Sequence, residues 1–540
     1  MKSSNAPSSS NLSTGPTRRR FLKSTLLGGA AFSLCLSDGL PRDVVDAKEL
    51  PRSMPREEGI AESHLIEFVD AMEREGHELH GLMVLRRGKV IAEGWARPYG
   101  PKFNHSMYSL SKSFTSTGVG LAVAEGLIKV MDKVVSFFPE AAPDKISDRL
   151  AALDIRHLLT MSAGMASSAT GKTTTSKDWV RTFLAQPLVH DPGTVFNYNT
   201  AATYMLSAII QKVSGDKLID YLGPRLFEPI GIVGPTWDEC PAGINKGGFG
   251  LNITTEGLAR FGQLYLQRGR WNGKQVLPAA WVKDATSKQI QQGTDSNKNP
   301  DWQQGYGYQF WRCRHDGYRG DGAFGQFTIV LPKQEVVIAM SSETASMQGE
   351  LDLVWKLLLP NFTEVSSAPG TRSDAVFQRK LKSLKTPFPQ GDSKSGLAKK
   401  WHGKTIRFEP DNPMGLDEVV VTFEKGTVEL AAGSDSRGDW NIECGSRKWR
   451  RGAMPLPSSG SWLISKGKTD KRGFVKVAAS FAWAAENALE MAWRYYETPH
   501  HDVVRMVFDD GGVTLELRDS MGLRRGKPQK PKMTLKGKFA

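Results

Sequence analysis

The stretch MYSLSKSFTSTGVGLAVAEGLI, Met107–Ile128, places a serine three residues before a lysine at the head of a run of small and apolar residues. Residues three apart share a helix face, so the Lys112 amine can reach the Ser109 hydroxyl. Around them Phe114, Leu121, Val123 and Leu127 leave only Lys112 and Glu125 charged. Such a helix offers little surface, and burial lowers a lysine pKa until the amine becomes a base near neutral pH. The helix N-terminus adds positive potential, which favours a developing serine alkoxide. The chemistry implied is an activated nucleophile: Ser109 attacks and Lys112 accepts its proton. Two further serine-x-x-lysine pairs, Ser214…Lys217 and Ser465…Lys468, lie in short polar, turn-like surroundings and carry no such implication.

Other candidate chemistry is weaker. The sequence PHHD, Pro499–Asp502, has no HExxH and no cysteine partner, so it reads as surface histidines on a β domain, and no metal is expected. The four cysteines, Cys35, Cys240, Cys313 and Cys444, form no CxxC or metal-ligand spacing. An oxidising compartment would allow one disulfide, with Cys240–Cys313 as the pair considered.

The net charge of +14 is unevenly spread. Residues 371–540 hold 31 Lys and Arg against 20 Asp and Glu, whereas residues 24–370 hold 35 against 37. The region around Ser109 is therefore near neutral, and a polyanion partner would have to meet the C-terminal part. There RRGKPQKPKMTLKGK carries seven basic residues and no acid. It lacks the interleaved aromatics of a nucleic-acid surface, so no nucleic acid is expected, and an anionic cell-envelope polymer is the partner considered for this basic end.

At the other end, TRRRFLKSTLLGGAAFSLCL sets paired arginines and Phe-Leu-Lys before a short apolar run, Leu26–Leu36. That run is too short to span a bilayer and has the length of a signal-peptide core. It resembles a twin-arginine export signal, which places the protein in the periplasm or outside the cell. No stretch reaches the roughly 20 apolar residues of a membrane span, so no integral membrane segment is expected.

The elements that must position Ser109 and Lys112 are legible in outline. HGLMVLRRGKVIAEGWARPYG predicts a hairpin, with Leu82–Leu85 and Val90–Glu93 as strands around a turn at Arg86–Lys89. Asp132–Gly250 reads as mostly helical, and GLARFGQLYLQRG as an amphipathic helix. GQFTIVLPKQEVVIAMSS predicts a late hairpin turning at Pro332-Lys333. Strands at both ends thus bracket helices, which requires an antiparallel sheet assembled from distant segments. A polar stretch follows, and beyond it alternating runs such as EVVVTFEKGTVELAAG predict a separate β-rich domain, a sandwich or small barrel.

Five stretches, in order over roughly residues 60–360, resemble the serine β-lactamase and penicillin-binding-protein superfamily, nearest to class C β-lactamase-like esterases and amide hydrolases. They are YSLSKSFTSTGVGLAVAEGLI, IRHLLTMSAGM, DPGTVFNYNTAATYMLSAII, GFGLNITTEGLARFGQLYLQRGRWNGKQVLPAAWV and GDGAFGQFTIVLPKQEVVIAMSS. The resemblance implies that Tyr198 is the motif tyrosine that shuttles protons with Lys112, its pKa lowered by the neighbouring ammonium. Thr200 stands where relatives carry asparagine and is expected to orient Lys112. The third motif reads Gly320-Asp321-Gly322 where many relatives carry a cation that holds a substrate carboxylate. Asp321 would repel that carboxylate, with Arg319 adjacent to compensate, and the two glycines would let the backbone approach a ligand. The Ser109 and Ala323 N–H groups would form the oxyanion hole.

The expected fold is α/β: an antiparallel sheet flanked by helices, with a helical subdomain and a C-terminal β-rich domain. Its expected parts are a signal peptide and linker (1–47), a catalytic domain (48–362), a linker (363–398) and an accessory domain (399–535). The expected function is a serine hydrolase that cleaves an ester, amide or peptide-like small molecule through a Ser109 acyl-enzyme, with no cofactor. The alternatives are a D-Ala-type peptidase or β-lactamase, and a non-catalytic envelope-binding protein.

Overall fold

Leu82 and Val84 alternate with Met83 and Leu85 along one strand, yet all four are fully buried. Such a strand must be covered on both faces. The computed structural model shows how, and it describes residues 49–293, 299–363, 372–410, 412–433, 438–455, 473–520 and 531–540. The expected export signal (1–47), Ser465…Lys468 and the basic residues Arg524 to Lys530 lie outside the described residues.

The chain enters through helix α1 (Glu62–Arg74) and a hairpin of β1 (Glu78–Arg86) and β2 (Lys89–Trp95). Helix α2 (Ser111–Ala124) follows, then α3 (Thr200–Ser214) in a helical region and α4 (Thr255–Leu266). Strands β3 (Trp311–Arg312), β4 (Tyr318–Gly322), β5 (Gln326–Leu331) and β6 (Val336–Glu343) complete the sheet. Its order is β2-β1-β6-β5-β4-β3, antiparallel throughout, with Leu82 opposite Met340 and Phe327 opposite Met340 on the other side. Hence the first hairpin is clasped by the last, as the sequence required.

One face of the sheet buries Leu82, Val84, Ile329 and Ile338 against Phe68 and Met72 of α1. The other buries Met83, Leu85, Val330 and Ala339 against α2 and α4. Twelve residues of α2, Ser111–Ala122, are buried, and its small residues permit this. A Cβ added at Gly120 would stand 2.6 Å from the Trp281 ring.

Residues expected to be a bare linker contain α5 (Arg372–Lys382), whose Phe377 and Leu381 are buried in the core beside α1. The chain then forms ten strands: β7 (Thr405–Phe408), β8 (Glu418–Glu424), β9 (Thr427–Gly433), β10 (Trp440–Ser446), β11 (Arg450–Pro455), β12 (Phe474–Ala485), β13 (Ala488–Arg494), β14 (His501–Phe508), β15 (Gly512–Asp519) and β16 (Met533–Phe539). Their order is β10-β9-β8-β7-β16-β15-β14-β13-β12-β11, and a parallel β10–β12 pairing closes the sheet into a barrel around its own core.

Several expectations need correction. The β-rich domain, expected to end at 535, runs on through β16, which pairs with both β7 and β15 and turns Lys536 and Lys538 outward. Cys240, Cys313 and Cys444 are all free and buried, so the Cys240–Cys313 disulfide is not formed. His500 is no surface residue, at 4% exposure.

Phe261 of α4 lies fully buried and stacks on Phe114 of α2, with centroids 3.8 Å apart. Phe261→Ala is expected to remove about 3–5 kcal/mol of stability. Urea unfolding should show a lower midpoint at an unchanged slope, and an unshifted midpoint would contradict this packing.

Candidate active site

The turn that carries Ser109 is led in by a two-residue strand, His105–Ser106, paired with Leu251–Ile253. Met107 donates its N–H to Leu251 O at 2.9 Å, and Tyr108–Leu110 form a single 3-10 turn before α2 begins. Tyr108 sits at φ 47°, a left-handed conformation that a non-glycine side chain holds only when its surroundings fix it. This bend presents Ser109, partly exposed, at the head of a buried helix.

Lys112 is 1% exposed. Its Nζ donates to Ser109 Oγ at 3.1 Å and to Gly248 O at 2.7 Å. Burial brings the amine down from 10.5 to about 7, against the opposing pull of the Asp321 carboxylate. At neutral pH a substantial fraction is therefore free base, poised beside the hydroxyl it would deprotonate.

Tyr198 hydrogen-bonds to Ser109, and its ring centroid lies 4.9 Å from Lys112 Nζ. The expected lowering of its pKa is not found. Burial first and Asp321 second push the phenol up, outweighing the Ser109 hydrogen bond and Arg319. Tyr198 is thus held as the neutral phenol, and of the two groups Lys112 is the one whose pKa lies near neutrality. Asn199 fixes the tyrosine's segment by capping α3, where its Oδ1 accepts from Ala201 N at 3.2 Å. Trp311 of β3 stacks on Tyr198, with centroids 5.6 Å apart.

Thr200 opens α3 but does not bond Lys112, whose partners among the described residues are Ser109 and Gly248. Its contribution is steric. A Cβ at Gly248 would lie 2.6 Å from Thr200 Cγ2, so the threonine packs on the backbone that holds the amine.

The third motif lies on β4. A Cβ at Gly320 would stand 2.8 Å from Ser113 Oγ, and one at Gly322 would stand 2.1 Å from Met107 O. These glycines admit the head of α2 and the turn ahead of it, where the sequence suggested a ligand. Asp321 is 7% exposed and not free to repel an anion. Its Oδ2 accepts from Arg319 Nε at 3.0 Å, and its carboxylate also bonds Trp311. Burial raises its pKa, while Arg319 and Lys112 oppose that rise. Arg319 is fully buried, donates to Asp301 O at 2.9 Å and lies 4.3 Å over the Trp302 ring. The arginine is therefore paired within the protein through Nε and Nη1, while its buried Nη2 has no hydrogen-bond partner among the described residues. Ala323 follows β4 directly, at the start of the turn into β5, and its carbonyl accepts from Gln326 Nε2 at 3.2 Å.

Sequence reasoning missed Gly248 and Trp311. Gly248 could not be found because its role is a backbone oxygen, which any residue offers. Trp311 stood in WRCRH with no motif around it.

Among the described residues one other cluster brings ligand-type atoms together: those of Glu78, Glu343 and His501 lie within 4.8 Å of one another. Both oxygens of Glu78 are held by Arg494, and those of Glu343 by His500, His501 and Ser520. The donor atoms are thus already bound to protein groups.

The sequence profile described as Beta-lactamase matches residues 69–358, which include Ser109, Lys112, Tyr198 and the β4 motif. The chain belongs to the beta-lactamase family. Among members of known name, it is 26% identical over 281 residues to the 6-aminohexanoate-dimer hydrolase of Paenarthrobacter ureafaciens, covering 48% of this chain and 71% of that one. It is 24% identical over 223 residues to a beta-lactamase of Escherichia coli (strain K12), covering 37% and 54%. A solved structure, a putative 6-aminohexanoate-dimer hydrolase from Bacillus anthracis, aligns at a TM-score of 0.47 and 20% identity, covering 63% of this chain and 87% of that one.

A buried lysine at about 7 has consequences for both rate and stability. On the acid side, kcat/KM is expected to rise with pH through about 7 as the amine loses its proton. Below that value folded and unfolded chains both carry the ammonium, and the folded state bears the full burial cost. Between about 7 and 10.5 the unfolded chain binds the extra proton, so stability rises with pH across that window. The Tm of Lys112→Met minus that of wild type should therefore shrink between pH 6 and pH 9. A pH-independent difference would mean that Lys112 titrates as an ordinary lysine.

Proposed function

We propose that this chain is a serine hydrolase that cleaves an ester or amide through an acyl-enzyme on Ser109. The observation that carries the reading is the Lys112 Nζ to Ser109 Oγ contact at 3.1 Å, made by an amine held at about 7. In the first half-reaction the Ser109 hydroxyl gives its proton to neutral Lys112 as its oxygen attacks the carbonyl carbon. The oxyanion is met by the Ser109 and Ala323 N–H groups. As the intermediate collapses, the Tyr198 phenol donates its proton to the leaving group and takes one back from the Lys112 ammonium. Water then attacks the acyl carbon with Lys112 as base. The acid product leaves and Ser109 regains its proton.

Family membership and the named relatives, among them an amide hydrolase acting on a 6-aminohexanoate dimer, support a substrate of this class. The pairing of Arg319 with Asp321 favours substrates without a carboxylate beside the scissile bond, and so an ester or amide over a penicillin. Action outside the cytoplasm is part of the proposal and rests on the paired arginines ahead of Leu26–Leu36.

Hydrolysis of p-nitrophenyl acetate by the mature protein, beside Ser109→Ala checked for folding, tests the reading. The variant is expected to lose at least about a thousandfold in kcat, the scale seen when a nucleophile is removed. Equal rates for the two proteins would remove Ser109 from the reaction.

A further inference from the structure

The catalytic turn is not held by the beta-lactamase-like part alone. Between β13 and β14 the barrel sends out the loop Tyr495–His500, which is fixed by its own hydrogen bonds. Thr498 N donates to Tyr495 O at 2.7 Å, His500 N to Thr498 Oγ1 at 3.0 Å, and Tyr495 N to His500 O at 3.1 Å. Three of its groups bond the chain just ahead of the nucleophile. Glu497 O accepts from Ser106 N at 3.0 Å, Thr498 O accepts from Tyr99 Oη at 3.0 Å, and His500 Nε2 lies 2.6 Å from Tyr108 Oη.

His500 is the centre of this contact. With the Glu343 carboxylate as acceptor at Nδ1, the neutral ring leaves Nε2 to accept, and the Tyr108 hydroxyl, kept protonated by burial, donates to it. The other ring nitrogen, Nδ1, then donates to Glu343 Oε1 at 3.2 Å, which fixes the ring from both sides. Its edge also meets Phe324, with centroids 4.7 Å apart at 87°, and Phe324 meets Tyr108 at 5.3 Å and 69°. Tyr108 immediately precedes Ser109, and Phe324 immediately follows Ala323. Both are non-glycine residues at positive φ, 47° and 70°. Such conformations are strained and persist only where the surroundings over-determine them.

We infer that His500, supplied by the C-terminal barrel, is a positioning residue that sets the two halves of the oxyanion hole against each other through Tyr108 and Phe324. This rests on the reading of Ser109 as nucleophile and Ala323 as the second donor. It gives the accessory domain a role in turnover. A donor pair that is loose by a fraction of an ångström stabilises the transition state less while leaving substrate binding largely intact.

The test is steady-state hydrolysis of p-nitrophenyl acetate by the full chain, with Tm measured for each variant. His500→Ala and Tyr108→Phe are each expected to lower kcat by roughly 10- to 100-fold with KM changed less than about threefold. The double variant should be no slower than the worse single one, because both remove the same bond. His500→Gln, whose side-chain amide reaches the place of Nε2, is expected to recover most of kcat. Serine labelling by a fluorophosphonate, absent in Ser109→Ala, separates the two readings. If Ser109→Ala still turns over, the nucleophile reading falls and this inference with it. If that variant is dead while folded His500→Ala keeps wild-type kcat, the inference alone falls. Should His500→Ala not fold, wild-type kcat in Tyr108→Phe, or independent losses in Tyr108→Phe and His500→Gln that multiply when combined, would overturn it.

Discussion

The beta-lactamase-like part packs closely around one buried amine, that of Lys112. An ammonium at the position of Lys112 costs free energy that an apolar helix cannot return, and the fold answers in two ways. It supplies one carbonyl, Gly248 O, and one hydroxyl, Ser109 Oγ, so the amine is hydrogen-bonded whichever protonation state it takes. It also withholds a close carboxylate. Asp321 acts on Lys112 from a distance, and its carboxylate bonds Arg319 and Trp311 instead. A direct ion pair would have kept the lysine charged and useless as a base.

The same economy of contact explains the glycines and the barrel. For β4 to lie beside the nucleophile turn, its backbone must pass within van der Waals distance of Met107 O, which no Cβ at Gly322 would allow. Two left-handed residues, Tyr108 and Phe324, aim the chain on either side of that contact, and both lean on a histidine from the far end of the sequence. The buried group of Glu78, Arg494, Glu343 and His501 ties the barrel to β1 and β6 nearby. Removing one partner from such a group is far more damaging than its net contribution suggests, since the other charge is left buried alone.

Much of the fold was legible because its signals are local. Both hairpins show as alternation around turn residues, and the helix Thr255–Leu266 shows as an apolar stripe. Ser109 and Lys112 were legible because their spacing and surroundings are a single stretch of chain. What the sequence concealed depends on distant segments meeting. The polar run after residue 363 hid α5, because among its described side chains two, Phe377 and Leu381, reach the core. Tyr198 was expected to have a lowered pKa because a cation neighbours it. Burial and Asp321 outweigh that neighbour, and neither is visible from flanking residues. The histidines of PHHD read as surface groups because their partners, Tyr108 and Glu343, lie over 150 residues away.

The most direct measurement is the titration of Lys112 itself. Carbon-13 labelling of the lysine side chains, with the Lys112 resonance assigned by its loss in Lys112→Arg, follows the protonation of this one amine by NMR. The account requires that the Lys112 resonance titrate near pH 7. A Lys112 resonance still fully protonated at pH 9.5, where ordinary lysines remain charged, would contradict it.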